Sequence, residues 1–136
     1  MSTNMNANNK HELIHQTFVA SQAGSIHFGQ VIAALMSVDV ESYFVDYRTR
    51  QVTYYFPSDE TLQLSYDADG EVFAQDFDQA AVKAAIVGAQ KGEVMYPEFK
   101  KLTQKAGCIG YFVWIKGRHV SYLGRNGETH VEHFPN

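Results

Sequence analysis

The sequence predicts an α+β fold: two tandem helix–helix–strand–strand–strand units whose strands form an antiparallel sheet covered by helices. Three observations carry that expectation. One stretch is written twice: Tyr43, Phe44, Val45, Arg50, Val52 and Tyr54 recur without a gap as Tyr111, Phe112, Val113, Arg118, Val120 and Tyr122, at an offset of 68 residues. The chain of 136 residues is twice that length, and a fixed internal period marks a supersecondary unit used more than once. In each unit the apolar spacing also switches from the three-to-four of a helix to the alternation of a strand. Gly-, Asn- and Asp-containing turn signals separate the alternating segments.

Residues 1–9, rich in Asn, read as a disordered leader, and residues 10–136 as a single α+β domain with units at about 10–77 and 78–136. The first helix is expected over 10–22, with Leu13, Ile14, Phe18 and Val19 on one apolar stripe. Gly24 is a helix stop and Ser25 a candidate cap for the next helix, which carries Phe28, Val31, Ile32, Leu35 and Val38. After Asp39 the period becomes two. Tyr43, Val45 and Tyr47 then share one face, the turn falls at residues 48–50, and Val52, Tyr54 and Phe56 return along the hairpin. Leu62, Leu64 and Tyr66 mark a third strand, and Asp69-Gly70 signals a further hairpin turn into residues 71–75.

The second unit opens with Asp78 as a cap for a helix over 79–90, and Pro97 suits the first turn of a fourth helix carrying Phe99 and Leu102 and stopping at Gly107. Strands follow at 109–115, 119–123 and 128–133, with turns at residues 116–118 and 125–127. The correspondence slips beyond Glu60 and Glu128. Leu62 and Leu64 align with His130 and Glu132, whereas the later strand has its apolar residue at Val131, so a bulge or altered turn is expected there.

Composition excludes several classes. No apolar run approaches the roughly 20 residues of a membrane span, and the polar start lacks an apolar signal core, which makes cytoplasmic residence the expectation. A single cysteine, Cys108, excludes an intramolecular disulfide and a cysteine-based zinc site. The net charge of −4 divides into −7 over residues 1–97 and +3 over residues 98–136. An acidic chain disfavours nucleic acid as a partner, although Lys116, Arg118 and Arg125 lie at turns near Tyr111, Phe112, Trp114 and Tyr122.

Candidate chemistry is sparse. His11 and His15 have the spacing of two metal ligands on a helix but lack a third nearby, so they read as exposed histidines and no metal or cofactor is expected. Cys108 stands where Val40 stands in the first unit and reads as a buried, inert thiol. Residues 65–76 place oxygen-bearing side chains like a calcium loop. Ser65 opens it, however, Asp76 is short for its last position, and the preceding segment alternates, so an Asp-Gly hairpin is preferred. His119, His130, Glu132 and His133 cluster in the last two strands, with His130 and Glu132 on one face and His133 on the other. The alternation also leaves Phe44, Phe112 and Trp114 on the face opposite Tyr43, Val45, Tyr111 and Val113. Large aromatics in that position point to a contact with a partner.

The run Ala106 to Val113, with Gly117-Arg118, Tyr122, Gly124-Arg125, Gly127-Glu128, His130, Glu132 and Phe134-Pro135, resembles an uncharacterised bacterial and prophage family. Its members carry the label "phage envelope protein" and are grouped as YdfO-like. Residues 38–46 and Thr53-Tyr54-Tyr55 fit as well, so the resemblance covers most of the chain. It implies an α+β domain with a mobile-element connection and brings no activity, cofactor or functional residue with it. The leading expectation is therefore a non-enzymatic binding or regulatory module acting through protein contact, as a homodimer or with another protein. The alternative is a small-molecule-binding protein or an enzyme using His119, His130 and Glu132.

Overall fold

The computed structural model describes residues 7–68, 70 and 72–135. The part of the expected leader at residues 1–6 lies outside them. Helix α1 spans Ala7–Gln22, so it starts three residues before the sequence pattern predicts. Helix α2 is Phe28–Ser37, followed by strands β1 (Ser42–Asp46), β2 (Gln51–Tyr55) and β3 (Thr61–Ser65). The second half repeats the order with α3 (Gln79–Gln90), α4 (Tyr96–Lys105), β4 (Cys108–Trp114), β5 (His119–Gly124) and β6 (Thr129–His133).

The six strands form one sheet in the order β3-β2-β1-β4-β5-β6, and every neighbouring pair is antiparallel. At its centre β1 pairs with β4 so that Ser42 faces Trp114, Phe44 faces Phe112 and Asp46 faces Gly110. Phe44 therefore lies opposite its own counterpart, and a local two-fold axis passes between them. The helices pack on one face. Tyr43, Val45, Tyr47, Val52, Tyr54 and Phe56 form a single core with Tyr111, Val113, Ile115, Val120, Tyr122 and the buried helix residues Ile14, Phe18, Leu35, Val82, Ile86 and Phe99.

The bounds of α2, β3 and β6 show how closely the halves agree. Phe28–Ser37 recurs as Tyr96–Lys105 and Thr61–Ser65 as Thr129–His133, both at 68 residues. Left-handed backbone recurs at the same offset, at Gly24 and Gly92 (φ 74° and 75°), Asp39 and Gly107 (65° and 84°), Arg50 and Arg118 (59° and 60°), and Asp59 and Gly127 (70° and 82°). Gly107 has the strongest steric reason of these to lack a side chain: a Cβ there would run into the Asp76 carbonyl oxygen, whereas at Gly24 it would come to 3.1 Å from the Pro97 ring. The segment linking the halves crosses the entry to β4 at that point, with Asp78 N–H donating to the Ala106 carbonyl.

Several expectations need correction. The predicted slip between β3 and β6 is absent: both strands show the same alternation of exposed and half-buried residues, and the only irregularity between β4 and β5 lies at Cys108/Gly110. His130 and Glu132 thus occupy the inward positions of Leu62 and Leu64, while Val131 is exposed. The apolar residue was the wrong guide, because hydrogen-bond partners on α3 let a polar pair face inward. The hairpin predicted after Asp69-Gly70 does not form over the described residues 72–74, which are irregular; Asp69 and Glu71 lie outside the described residues. Ala74 N–H instead donates to the Gln104 carbonyl of α4.

Ser25 does not cap α2. His27 holds the N-cap position, its N–H donating to Gln30 Oε1 at 2.8 Å, while the Ser25 hydroxyl donates to the Ala20 carbonyl. Val19 and Leu102 are exposed. Helix α4 buries Lys100, Thr103 and Gln104 beside Phe99, an arrangement that hydropathy does not reveal, and Gln104 Oε1 has no hydrogen-bond partner among the described residues. Thr103 Oγ1 and the Tyr47 hydroxyl are 2.8 Å apart, and Lys100 Nζ donates to Gln22 Oε1 and lies 4.0 Å over the Tyr66 ring. Asp78 does cap α3, accepting from Ala81 N–H.

Candidate functional site

Tyrosines occupy matching inward positions on the central strands: Tyr43 and Tyr54 in the first half, Tyr111 and Tyr122 in the second. Antiparallel pairing brings each couple into contact, with ring centroids 5.5 Å apart for Tyr43–Tyr54 and 5.4 Å for Tyr111–Tyr122. They floor a cavity of about 510 Å³ enclosed between the sheet and the helices. Its walls come in counterparts from the two halves, among them Phe18 and Ile86, Ser21 and Ala89, and Val52 and Val120, so it straddles the local two-fold axis. Helix α1 packs on α4 on one side. On the other side the lining residues His27, Phe28, Gln90 and Lys91 are exposed and mark the mouth, together with His133 and Pro135.

The phenols are the chemistry of this space. Burial is the main force raising all of their pKa values, and for Tyr43 and Tyr111 the neighbouring tyrosines add to it, so each hydroxyl keeps its proton. Tyr111 donates to the Tyr96 hydroxyl at 3.0 Å. The hydroxyls of Tyr43, Tyr54 and Tyr122, residues only 4–6% exposed, make no hydrogen bond among the described residues. All three of these tyrosines line the cavity, so their hydroxyls are met only by what enters it. Tyrosine was assigned to ordinary core by its position in the alternation. The available signal was that four inward positions carry a hydroxyl where phenylalanine would fill the same space.

His130 and Glu132 come together at the edge of the cavity: His130 Nε2 is 3.1 Å from Glu132 Oε1, Gln79 Nε2 is 2.8 Å from His130 Nδ1, and Lys83 Nζ donates to both oxygens of Glu132. Burial pulls the Glu132 carboxyl upward, but hydrogen bonds from Lys83 and His130 outweigh it and hold the group below its usual range. Glu132 is thus an anchored carboxylate tying β6 to α3. His119 does not join it. It faces the opposite side of the sheet, 5.6 Å from the His133 ring and 6.2 Å from Trp114. The three residues of the predicted acid–base set are split between two faces, so no catalytic constellation of them forms.

The opposite face carries Phe44, Phe112 and Trp114, half-buried by one another and by Tyr55. Phe112 and Trp114 stack at 3.9 Å with their planes within 4°, and Trp114 Nε1 donates to Ser121 Oγ. The remaining candidates are engaged in structure. His11 Nε2 lies 2.8 Å from Glu60 Oε2, which this contact holds below the usual carboxylate range, while His15 is exposed. Cys108 is fully buried, its thiol pushed up to about 11 by burial and donating to the Gly110 carbonyl. Arg118 lies over Phe134 and donates to the Pro135 carbonyl; Arg125 donates to that of Ala74. Among the described residues no group of three or more His, Cys, Asp and Glu could hold a metal ion, and no helix is long and apolar enough to cross a membrane.

Comparison with known proteins adds relatives without known activity. The chain is 30% identical over 66 residues to the uncharacterized protein Rv2012 of Mycobacterium tuberculosis and, equally, to the uncharacterized protein Mb2035 of Mycobacterium bovis. The matched stretch covers 48% of this chain and 40% of each relative. A family model covers far more, residues 16–132, nearly all of the helices and strands described above. On that match the chain belongs to the family described as "Protein of unknown function (DUF1398)".

Proposed function

We propose that this protein is a non-enzymatic binding module that takes a small, largely apolar molecule into the cavity between its helices and its sheet. One observation carries the reading: three tyrosines only 4–6% exposed line a cavity of about 510 Å³, and their hydroxyls have no hydrogen-bond partner among the described residues. That volume lies within the roughly 300–1,000 Å³ of ligand sites, and apolar walls with a few convergent polar groups are what such sites use. The envelope label of the resembling family contributes nothing to this reading.

The test is titration with Nile red, a neutral dye that brightens in apolar surroundings. The expected result is saturable binding to the native protein, lost in Ala89→Trp and in Ser21→Trp, which fill the cavity from counterpart positions. Dye binding that persists in both variants, with native circular dichroism, would place the ligand elsewhere and overturn the proposal.

A second reading concerns the opposite face, where Phe44, Phe112 and Trp114 support contact with a second copy of the chain. The supporting observation is that Phe44 and Phe112 pair at the centre of the sheet, so a second copy turned by a two-fold rotation can set the same aromatic pair against it. Light scattering is expected to show a dimer that Phe112→Ser and Trp114→Ser convert to folded monomers. A native monomer at high concentration sinks this second reading and leaves the first untouched.

A further inference from the structure

Resting on the cavity reading above, the geometry points to a ligand class: we infer that the cavity takes a planar, uncharged aromatic molecule carrying carbonyl oxygens on opposite edges. The floor is the first argument. Two tilted tyrosine pairs, one from each half, offer aromatic faces on either side of the local axis, and Phe99 meets Tyr111 edge-on at 6.4 Å and lies 6.1 Å from Tyr122. Ring faces and edges in this arrangement favour a flat aromatic guest.

The hydroxyls are the second argument. Burial keeps all the phenols protonated, and the Tyr111 proton is already directed to Tyr96. Tyr43 and Tyr54 in one half and Tyr122 in the other retain O–H groups with no acceptor among the described residues. A guest that displaces water from the cavity must therefore present hydrogen-bond acceptors, and it must present them to both halves. Charge is the third argument. The charged side chains on the cavity wall are Lys91, which is exposed, and Glu132, which is tied to Lys83. Lys91, His27 and His133 stand at the exposed mouth and the Glu132 charge is already met, so among the described residues nothing deeper compensates an ionised guest for its lost hydration. Carbonyl oxygens on a neutral ring system meet all three conditions.

Equilibrium dialysis against anthraquinone and anthracene separates this class from mere apolar capture, because the two share a ring outline and differ in the oxygens. The protein is expected to hold anthraquinone at least about tenfold more tightly than anthracene, the gain from two or more hydrogen bonds to otherwise unpaired donors. Tyr54→Phe and Tyr122→Phe should each weaken anthraquinone about fivefold and leave anthracene unchanged. Neither variant loses a hydrogen bond within the protein, so both should melt at or above the native temperature. Equal retention of the two probes, or variants that weaken both alike, overturns the carbonyl assignment while Nile red binding keeps the cavity reading. Loss of both probes together with failure of Nile red overturns the cavity reading as well.

Discussion

The two edge strands, β3 and β6, hold counterpart places in the sheet and are built from opposite chemistry. Under α1, β3 turns Leu62 and Leu64 inward; under α3, β6 turns His130 and Glu132 inward and ties them to Gln79 and Lys83. His11 and His15 of α1 are the counterparts of Gln79 and Lys83, yet His11 reaches past the strand to the turn residue Glu60. The same backbone thus tolerates an apolar seam or a hydrogen-bonded one. The difference teaches that the fold is specified by alternation, turns and helix spacing, while the identity of a half-buried edge pair is free to serve something else. In the second half Glu132 of that pair lines the cavity.

The largest expected break in this comparison is at the linker. Gly107→Ala should cost at least about 3 kcal/mol in urea unfolding, because the added carbon meets the Asp76 backbone in a left-handed conformation. Asp39→Gly, at the counterpart position, should change stability by less than about 1 kcal/mol. A small effect of Gly107→Ala would mean that the linker does not cross there.

Intermediate effects come from a swapped pair. Tyr47 and Thr103 share a buried hydrogen bond, whereas their counterparts Ile115 and Leu35 are both apolar and buried. Thr103→Leu alone should cost about 1–3 kcal/mol by taking away the partner of the Tyr47 hydroxyl, and Tyr47→Ile about as much by emptying ring space, since Thr103 Oγ1 still donates to the Phe99 carbonyl. Together they should cost less than the sum of the two, and a double-mutant cycle that adds up linearly would show the two sites to be uncoupled.

The smallest effect is at the edge. His130→Leu with Glu132→Leu copies β3 and should stabilise the protein by up to about 1 kcal/mol. It should also remove one source of acid sensitivity. The Glu132 carboxyl is held below its ordinary 4.5 in the folded chain. It therefore contributes stability above that value and loses it as the pH falls through the folded pKa. Unfolding of the native protein from pH 6 to pH 3, set against the double variant, measures the difference; parallel curves would show that the tie contributes nothing.

Legibility of the sequence followed the same divide. Gly24, Pro97 and Asp78 marked helix ends because backbone geometry demands those residues, and the alternation of Tyr43, Val45, Tyr111 and Val113 correctly assigned the covered face. Edge chemistry was misread, since hydropathy made Val131 the guide to β6, whereas Val131 is exposed and His130 and Glu132 turn inward. The inward pair depends on Gln79 and Lys83, 51 and 49 residues away, which no local pattern contains. The cavity was hidden for a related reason: a tyrosine facing in looks like packing until the fold shows that nothing meets its hydroxyl.

Pairing of Phe44 with Phe112 has a kinetic consequence. Every other strand pairing joins neighbours along the chain, so each half can assemble locally, and the β1–β4 seam alone must close a loop of 68 residues. Contacts so distant in sequence form slowly, which makes docking of the halves the natural late step of folding. The cavity draws on both halves and exists only after that step. A guest bound there would leave the folding rate nearly unchanged and act as a brake on unfolding, lengthening the life of the native chain.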